Sequence, residues 1–553
     1  MAKEKGERKE EFTTASGIVL KRVYAPEDIK DLDYARDLGS PGEYPYTRGP
    51  YPSMYRAYPW MIRQVMGYGT PESSVERWKA LMERGGQAGY KQEPATTLLF
   101  DMPTNYCYDS DNPIAFYQVG RVGVAVDHYK DIVDLMKDFP MDKGFTNLVV
   151  HGSPPILTAM YIAAAQELGY PLDKLRGSSK NDPYQSQICE RIQLLPTKAE
   201  LRLCLDLLEY CAKYMPAWNP ISLEAYGYHS SGSNAIQEVA FGLATAMAYI
   251  EGGISRGLDV DVFAPRISFF FSSGIDFLEE VAKFRAARRI WTKVMKERFG
   301  AKNPRSLLFR TYVCTLPPDY TAQQPYINIV RGTIQAMAAI LGGIQAMSVT
   351  PYDEVLAIPT LDAHTMSIRA QQILVEESGI GNTVDPLGGS YCIEWLTNEI
   401  EDKVREYFKK IESWGNDGTV LSGLTAGVEK GLVQSEINEA VIKRQRAIEG
   451  GERVMVGVNK YTVEEEISPQ IFRVDPVYRK EKIEKLKKFK EERDKQEVSR
   501  ALKELAQVCR TNENVMPELI EAAKKRVTLE EAMNVFRDVF GVPEFWKGRR
   551  MTK

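Results

Sequence analysis

Short apolar runs alternate with longer amphipathic runs along the middle of the chain, between about residues 95 and 395. The apolar runs have the length of strands, and they fall at 96–100, 122–126, 146–150, 222–226, 265–271, 306–313 and 346–350, with a more polar candidate at 176–179. The runs between them have the length and periodicity of helices, as at 156–169, 235–253 and 277–300. This alternation predicts a parallel α/β architecture. A (β/α)₈ TIM barrel over 95–395 fits its size, and an open doubly wound sheet is the alternative.

The flanks of this region have a different pattern. Residues 1–23 begin with a charged stretch and are predicted to be a disordered N-terminal tail. Proline, glycine and tyrosine are frequent in 24–60, and the segment 24–94 is predicted to wrap over a domain. Residues 396–553 are predicted to form a helical C-terminal region, in which 477–509 has the pattern of a strongly charged amphipathic helix.

Hydroxyl side chains recur within or beside the predicted strands, where barrels usually carry Val, Ile and Leu. They are Thr96, Thr97, Ser222, Ser268, Thr311 and Ser348. Small polar side chains fill a barrel interior poorly, so they could leave room for a long polar ligand along the barrel axis. Alternatively, they hydrogen-bond to neighbouring backbone or face the helices.

The overall composition narrows the class of protein. The chain has 553 residues, of which 44% are hydrophobic and 26% charged, and its formal net charge is −4. Such a chain can form a folded core, and its charge does not favour nucleic acid or anionic lipid as a partner. The sequence contains no apolar run long enough for a membrane span. Seven scattered cysteines without a C-x-x-C pair, and no apolar signal-peptide region, predict a reduced, cytoplasmic protein.

The usual catalytic signatures are missing. The sequence has no G-x-G-x-x-G after a strand, no G-x-x-x-x-G-K-[ST], no H-E-x-x-H and no G-x-S-x-G. Only four histidines are present, which leaves few imidazole metal ligands. Side chains alone therefore offer little chemistry, which indicates a cofactor that supplies the reactive group.

Six stretches carry a family resemblance, at 47–64, 100–113, 263–271, 281–291, 376–391 and 457–461. They include FDMPTNYCYDSDNP, FAPRISFFF and EESGIGNTVDPLGGSY. In this order they resemble the catalytic subunit of the adenosylcobalamin-dependent acyl-CoA mutases, the methylmalonyl-CoA mutase family. The resemblance implies a (β/α)₈ barrel with the pantetheine arm of CoA along its axis. It also implies a radical 1,2-rearrangement of the carbon skeleton of a CoA thioester.

The family's cobalamin is held by a flavodoxin-like domain with a D-x-H-x-x-G motif. The string DAHTMS at 362–367 has Ser367 in place of the glycine and lies in a helical stretch, so we interpret it as coincidence. We expect no cobalamin-binding domain in this chain. The chain resembles the large subunit of the split isobutyryl- and 2-hydroxyisobutyryl-CoA mutases. That resemblance implies adenosylcobalamin, with cobalt ligated by a small cobalamin-binding partner subunit, and a hetero-oligomer.

The resemblance assigns roles position by position. The substrate or CoA contacts that it implies are Tyr51, Met54, Arg63, Arg266 and Ser268, to which we add Thr97 from the strand hydroxyls. The corrin or adenosine contacts are Phe100, Gln345 and Glu354. Tyr226 matches a tyrosine beside the reacting radical. For Arg266 the alternative is a structural salt bridge.

Four positions depart from the family around the acyl group. Val65 replaces a tyrosine of methylmalonyl-CoA mutases and Leu99 replaces a hydroxyl-binding aspartate, which predicts a roomy apolar pocket. Glu190 replaces the arginine that pairs with the carboxylate of methylmalonyl-CoA, and it would repel that carboxylate. Lys180 replaces a glutamine, and we interpret Lys180 and Glu190 as neutralising one another. A bulky or branched, largely apolar acyl group is therefore expected, and not methylmalonyl-CoA.

The thioester donor is also changed, since the family histidine aligns with Gly227. If the strand continued past residue 226, His229 would share a face with position 227 and could replace it. Lys180 is a second candidate donor, and a loop His229 with no catalytic part is the alternative. Two other functions stay open. One is an alkyl- or arylsuccinyl-CoA mutase in which Lys180 pairs with a substrate carboxylate. The other, motivated by Gly227 and by Cys314 in place of a glutamine, is a non-catalytic assembly subunit.

Overall fold

The computed structural model describes residues 7, 9–67, 69–87, 93–464 and 475–543. Its strands are β1 (Met61–Ile62), β2 (Ala95–Leu99), β3 (Phe145–Val149), β4 (Gly177–Ser179), β5 (Trp218–Asn219), β6 (Ile221–Glu224), β7 (Ile267–Ser273), β8 (Thr311–Thr315) and β9 (Ala346–Ser348). Their pairings are parallel. Helices separate most of them, so the predicted α/β class is confirmed.

The pairings join the strands in a cycle. One set runs β2-β3-β4-β5 and the other runs β6-β7-β8-β9-β1. Only Pro220 separates β5 from β6, so these are two halves of one interrupted strand. The cycle is completed where Met66, just after β1, bridges Leu98 of β2. Counting β5 and β6 together, this is the strand order of the predicted (β/α)₈ barrel.

Helices surround this barrel and continue after it. Those up to the last strand and just beyond it are α1 (Pro71–Glu83), α2 (Met102–Asn105), α3 (Tyr129–Met136), α4 (Pro154–Glu167), α5 (Pro183–Gln185), α6 (Thr197–Tyr214), α7 (Ala225–Ser230), α8 (Ala235–Ser255), α9 (Val260–Phe263), α10 (Phe277–Lys293), α11 (Asn328–Leu341) and α12 (Leu361–Glu376). The C-terminal region holds α13 (Tyr391–Trp414), α14 (Val420–Glu429), α15 (Leu432–Glu449), α16 (Pro476–Glu492), α17 (Lys495–Cys509), α18 (Met516–Lys524) and α19 (Leu529–Phe540). Within the described residues, none of these helices combines the length and apolar character needed to cross a membrane.

Strand residues alternate between the helix layer and the barrel interior. Leu98, Leu148, Leu223 and Phe269 belong to the hydrophobic cores beneath the helices. The alternate positions therefore face inward, and they carry Thr97, Asn147, Ser178, Ser222 and Ser268. The Ser178 hydroxyl donates to Asn147 Oδ1 at 2.8 Å, across two neighbouring strands of that face. The barrel interior is thus lined by small polar side chains along much of its length.

Several predicted elements differ from the structure. The apolar run 122–126 is not a strand: it contributes single bridges from Val124 to Gly69 and Phe100. The run 306–313 begins with a 3₁₀ turn, Pro304–Leu307, and pairs only from Thr311. Strands β1 and β5 were not predicted, because two residues give no readable alternation. The run 222–226 ends as a strand at Glu224 and turns into helix α7.

The flanking segments are more structured than the sequence pattern indicates. Thr13 bridges Val19, and the Ala15 amide donates to Asp276, so part of 1–23 is folded against the barrel helices. Strand β1 and helix α1 lie inside 24–94, so strand pairing begins before residue 95. Part of the predicted 396–553 region, at 465–474 and 544–553, lies outside the described residues.

Candidate active site

The carboxyl ends of the parallel strands form one edge of the barrel, which we call the carboxyl rim. Active sites of this fold are built at that edge. Leu99 ends β2, His151 follows β3 by two residues, Lys180 follows β4 directly, and Glu224 ends β6. Side chains that are far apart in sequence are therefore neighbours in space.

Lys180 is paired with Glu224 rather than with Glu190. Its ammonium contacts Glu224 Oε1, and both side chains are almost fully buried. The same ammonium lies 4.8 Å from the centroid of the Phe270 ring, a cation–π contact. The expected neutralisation of Lys180 by Glu190 is therefore wrong as a direct ion pair. A substrate carboxylate that approached Lys180 would have to compete with Glu224.

Glu190 instead projects into the opening of the rim. It ends a π-helical turn, Ser186–Glu190, and its side chain is exposed while most of that turn is buried. The Gln185 amide donates to its Oε1 at 3.1 Å. The protein packed around the carboxylate raises its pKa, but His151, Lys180 and the Gln185 amide together lower it by more, so that the net shift is downward. Glu190 is therefore an ionised carboxylate near neutral pH.

His151 and Glu224 face one another beside this carboxylate. Their Nδ1 and Oε2 atoms lie 3.6 Å apart, and among the described residues neither atom has a hydrogen-bond partner. Burial lowers the pKa of His151 to about 4, so that the imidazole is neutral. Burial likewise raises the pKa of Glu224 to about 7. The ligand atoms of His151, Glu190 and Glu224 all lie within 4.8 Å of one another, a spacing that could hold a metal ion. The ammonium of Lys180, which contacts Glu224, disfavours a metal cation there because like charges repel.

An aromatic wall adjoins this polar group. The rings of Tyr226 and Phe270 are stacked, with centroids 4.7 Å apart and planes at 7°. Phe270 also contacts Tyr312, at 4.7 Å between centroids. Burial, followed by the nearby Cys314, Glu354, Glu224 and Glu190, raises the pKa of Tyr226 well above its usual value. Tyr226 is therefore a neutral phenol that packs at the carboxyl rim.

His229 does not join this group. The strand ends at Glu224, so that positions 227 and 229 lie on helix α7 and the argument from strand alternation is wrong. The His229 Nδ1 atom lies 2.7 Å from Ser272 Oγ and 3.1 Å from Glu238 Oε2. Glu238 is also bound by the fully buried Lys283 at 2.7 Å. His229 thus belongs to a buried charge cluster between the strand end and the surrounding helices.

The three predicted cofactor residues have different surroundings. Glu354 is exposed and lies near Tyr226, and its carboxylate has no hydrogen-bond or ion-pair partner within the described parts of the chain. Although the side chain opens to the rim, the protein packed around it, with a smaller contribution from Asp353, raises its pKa to about 7. Gln345 precedes β9 at the opposite edge, where its amide binds the Thr311 N–H and the Gly343 carbonyl. Phe100 is 2% exposed and belongs to the hydrophobic core. Glu354 and Phe100, which follows the end of β2, stand at or near the carboxyl rim, and the cofactor contacts of all three residues stay predictions.

The opposite edge of the barrel carries a cluster of arginines, Arg176, Arg266, Arg305 and Arg310, which we call the arginine cluster. Arg266 ends the 3₁₀ turn Ala264–Arg266 that leads into β7 and is half-buried. Burial and then the other three guanidinium groups lower its pKa to about 10. No carboxylate of the described chain lies within 4.0 Å of Arg266. The alternative role for this residue, a structural salt bridge, is therefore wrong. Ser268 follows it on the inward face of β7.

The other predicted substrate residues lie on β2 or in the segments that precede and follow β1. Arg63 follows β1 and stacks over Phe145, with its guanidinium carbon 4.6 Å from the ring centroid. Thr97 is buried, and its hydroxyl lacks a hydrogen-bond partner among the described residues. Met54 is buried and Tyr51 is exposed, in the irregular segment that precedes β1.

The apolar pair at the rim is formed by Val65 and Leu99. The Met66 amide donates to the Thr97 carbonyl, and the Leu99 amide donates to the Met66 carbonyl. Met66 packs in the outer core, so its neighbour Val65 faces inward beside Leu99. Both side chains are only partly buried, which leaves apolar surface at the rim.

Sequence reasoning missed three residues of the site. Glu224 and His151 stand at or just after strand ends, and that position alone is a signal in this fold. Gln185 gives no such signal. It lies in helix α5 and occupies the space opposite Gly227, where an added Cβ would come within 2.0 Å of its Nε2 atom.

Comparison with known proteins gives the same family as the sequence motifs. The methylmalonyl-CoA mutase family matches residues 13–542. The 2-hydroxyisobutanoyl-CoA mutase large subunit of Aquincola tertiaricarbonis is 38% identical over 537 residues, which are 97% of this chain and 93% of that protein. The methylmalonyl-CoA mutase of Escherichia coli is 38% identical over 534 residues, 96% of this chain and 72% of that protein.

The similarity extends to distant organisms. Human mitochondrial methylmalonyl-CoA mutase is 36% identical over 530 residues, 96% of this chain and 68% of that protein. These relatives are CoA mutases, and the predicted enzyme class, an isomerase that acts as an acyl-CoA mutase, is confirmed. The chain therefore belongs to the methylmalonyl-CoA mutase family, a family of cobalamin-dependent enzymes.

Proposed function

We propose that the chain is the catalytic large subunit of a two-component, adenosylcobalamin-dependent acyl-CoA mutase whose substrate is a bulky or branched acyl-CoA. One observation carries this proposal. A barrel interior lined by small polar side chains connects the arginine cluster at one edge with a mixed polar and aromatic site at the other. A long ligand with an anionic end and an acyl end, such as a CoA thioester, fits that path.

The arginine cluster supplies the anion-binding end. An arginine without a carboxylate partner, beside three others, stores electrostatic repulsion that an anionic ligand relieves. Inward-facing Thr97 and Asn219 have polar atoms, Oγ1 and Oδ1, with no hydrogen-bond partner in the described chain. Buried polar atoms of this kind normally find a partner. The amide groups of a pantetheine arm would provide one.

The carboxyl rim supplies the reacting end. Val65 and Leu99 give it apolar surface, and Tyr226 with Phe270 gives it a flat aromatic wall. Adenosylcobalamin, when bound, supplies the radical that starts the rearrangement. The role of the chain is to hold the acyl group against the aromatic wall and to exclude water. Glu190 disfavours a substrate carboxylate there, since the ionised group repels it.

The cofactor would be held at the same rim, and one residue fits it. Glu354 presents a carboxylate that no described residue binds, close to Tyr226. Carboxylates accept hydrogen bonds from vicinal hydroxyls such as those of an adenosyl ribose. Helix α12 holds the histidine of the DAHTMS string, and His364 is buried there with its Nδ1 3.1 Å from the Thr360 carbonyl. The cobalt ligand is therefore proposed to come from a small partner subunit.

A partner subunit is also favoured by the relatives. The relative from Aquincola tertiaricarbonis is named as a large subunit, which implies a smaller one in that enzyme. A cytoplasmic hetero-oligomer of large and small subunits is accordingly part of the proposal. The alkyl- or arylsuccinyl-CoA alternative is less well supported, because Lys180, its proposed carboxylate partner, is already paired with Glu224.

The test mixes the full chain with a small cobalamin-binding subunit, adenosylcobalamin and a panel of acyl-CoAs. The panel holds methylmalonyl-, isobutyryl-, 2-hydroxyisobutyryl-, pivalyl- and benzylsuccinyl-CoA, and isomer products are identified by mass spectrometry. Turnover of a bulky member with methylmalonyl-CoA inert supports the proposal. Turnover of methylmalonyl-CoA would contradict the reading of Glu190. If no CoA ester binds, the assembly-subunit alternative gains support.

Val65 offers a test of the pocket size. In the Val65→Tyr variant, we expect kcat/KM for the best bulky acyl-CoA to fall about 10–200-fold. The tyrosine ring would occupy space that the acyl group needs, and overfilling a packed site costs about 1–3 kcal/mol. The value for isobutyryl-CoA should fall less. The matched control is Val262→Tyr, at an exposed position on α9. An equal loss for small and bulky substrates would contradict a role in acyl size selection.

Because of Glu354, we expect cofactor binding to depend on pH. With a pKa of about 7, its ionised fraction rises through neutral pH. Because ribose hydroxyls donate to the ionised form, the affinity of the two-subunit complex for adenosylcobalamin should increase from pH 6 to pH 8, by roughly tenfold at most. Glu354→Gln should flatten this profile, whereas Glu376→Gln, an exposed residue of α12, should leave it unchanged. A profile that survives in Glu354→Gln would assign the titration to another group.

A further inference from the structure

Within the part of the chain that the structure describes, Glu190 has no directly paired cation at the carboxyl rim. Among the described residues, no lysine or arginine lies within 4.0 Å of its carboxylate, because the nearby Lys180 is bound to Glu224. The neighbouring His151 is neutral at neutral pH. The side chain is nevertheless exposed to the rim opening and ionised. When a substrate fills the rim and excludes water, this carboxylate loses its hydration and needs a donor or a cation from that substrate.

The structure holds Glu190 in this place through a specific contact. The Gln185 amide, which is fully buried, donates to Glu190 Oε1 at 3.1 Å. Gln185 can occupy its position only because residue 227 is a glycine, since an added Cβ there would come within 2.0 Å of the Gln185 amide nitrogen. The glycine, the buried amide and the exposed carboxylate are thus one arrangement that presents an acceptor to the barrel.

The surroundings of Glu190 add further acceptors. Glu224 is 2% exposed, and its Oε2 atom has no hydrogen-bond partner in the described chain. That atom faces the Nδ1 atom of His151 at 3.6 Å. In this corner the Lys180 ammonium contacts Glu224, and the Gln185 amide donates to Glu190. Two carboxylates therefore meet at the place where the acyl group would lie, and one oxygen of Glu224 has no hydrogen-bond partner among the described residues.

We propose that Glu190 recognises a hydrogen-bond donor, a hydroxyl or an ammonium group, on the acyl group of the substrate. This inference rests on the proposed acyl-CoA mutase function and narrows its substrate class. The acyl group would turn its apolar part to Val65, Leu99 and the aromatic wall, and its donor to Glu190. Gln185 is a positioning residue that sets the direction of the carboxylate.

The test compares acyl-CoAs of equal shape in binding to the full chain. Pivalyl-CoA and 2-hydroxyisobutyryl-CoA differ by a methyl against a hydroxyl, and 2-aminoisobutyryl-CoA carries an ammonium at the same position. We expect the wild-type chain to bind the better of the two donor-bearing esters about 10–100-fold more tightly than pivalyl-CoA, the usual range for a hydrogen bond to a charged group. The preferred ester identifies the donor as hydroxyl or ammonium.

Variants then assign the preference. Glu190→Gln should reduce it to about threefold or less, Glu190→Asp should restore part of it, and Gln185→Leu should give an intermediate value. The control Glu376→Gln should keep the wild-type ratio. Equal or tighter binding of pivalyl-CoA to the wild-type chain would overturn the inference, and so would a preference that persists in Glu190→Gln. If isobutyryl-CoA and the other esters all fail to bind, the proposed function itself fails.

Discussion

Replacement of Arg285 by methionine should lower the free energy of unfolding by about 3–5 kcal/mol, the usual cost of removing one partner of a buried ion pair. Arg285 lies on α10 with no exposed side-chain surface. Its guanidinium binds Asp385 and Glu394, and both carboxylates are almost fully buried. The shorter side chain would leave Glu394 without a cation and Asp385 with only Arg48, whose Nε lies 3.0 Å away.

This prediction explains one of the family-like motifs in structural terms. Asp385 belongs to the stretch 376–391, Arg48 to 47–64 and Arg285 to 281–291. The three stretches meet at one buried carboxylate, whose backbone is in the left-handed region with φ at 49°. They are therefore joined by an ion-pair network outside the proposed substrate path.

Urea denaturation followed by tryptophan fluorescence measures the effect. The matched control is Arg405→Met, whose guanidinium is 38% exposed and whose partner Glu401 keeps Arg289 and Lys293. It should cost less than about 1 kcal/mol. Arg285→Lys should fall between the two, since it keeps the charge but loses the planar fork. If Arg285→Met were as stable as the control, the buried pairs would contribute nothing net.

The fold was largely predictable because it depends on periodicity. Apolar runs of strand length, separated by helical runs, identified most barrel strands and the strand order followed from the fold class. The run 122–126 failed because burial and strand pairing are different properties. Val124 is fully buried, but it contributes only single bridges beside Gly69 and Phe100. A buried loop can have the composition of a strand.

The site was less predictable because its contacts depend on where each strand stops. The argument for His229 required the strand to continue past residue 226, whereas the chain becomes helical at Ala225. The partner of Lys180 was misassigned for a similar reason. Residue 224 is distant in sequence, but it lies at the end of β6, and its carboxylate binds the lysine at the end of β4. The sequence analysis paired Lys180 with Glu190 because both depart from the family pattern, whereas the barrel geometry brings Glu224 to the lysine.

The role of Gln185 could not be predicted from the sequence. A glutamine in a short helix has no periodic or motif signal, and Gly227 appeared only as the loss of a family histidine. The two positions have meaning together, because the amide fills the space that the glycine leaves open. Compensating pairs of this kind are visible only when both side chains are placed in three dimensions.

Arg266→Gln should weaken the binding of CoA esters about 10–150-fold, since charge-assisted hydrogen bonds contribute about 1.5–3 kcal/mol and each 1.4 kcal/mol is tenfold in affinity. The prediction follows from the arginine cluster. Arg266 has no carboxylate partner in the described chain, and three neighbouring guanidinium groups lower its pKa together with burial. Removing one of four like charges should leave the melting temperature unchanged or raise it. If Arg266 instead formed a structural salt bridge, the variant should melt at a lower temperature than the wild type.

Binding of CoA, dephospho-CoA and acyl-pantetheine to both proteins, measured by calorimetry, locates the contact along the ligand. If Arg266 meets the phosphates, acyl-pantetheine should bind the two proteins equally and only the phosphate-bearing ligands should lose affinity. If it meets the pantetheine amides, all three should lose affinity alike. The control Arg510→Gln, an exposed arginine after α17, should change neither series. Equal affinity of Arg266→Gln and wild type for every ligand would remove the anion-binding end from the proposed path, and with it the main support for a CoA thioester in this barrel.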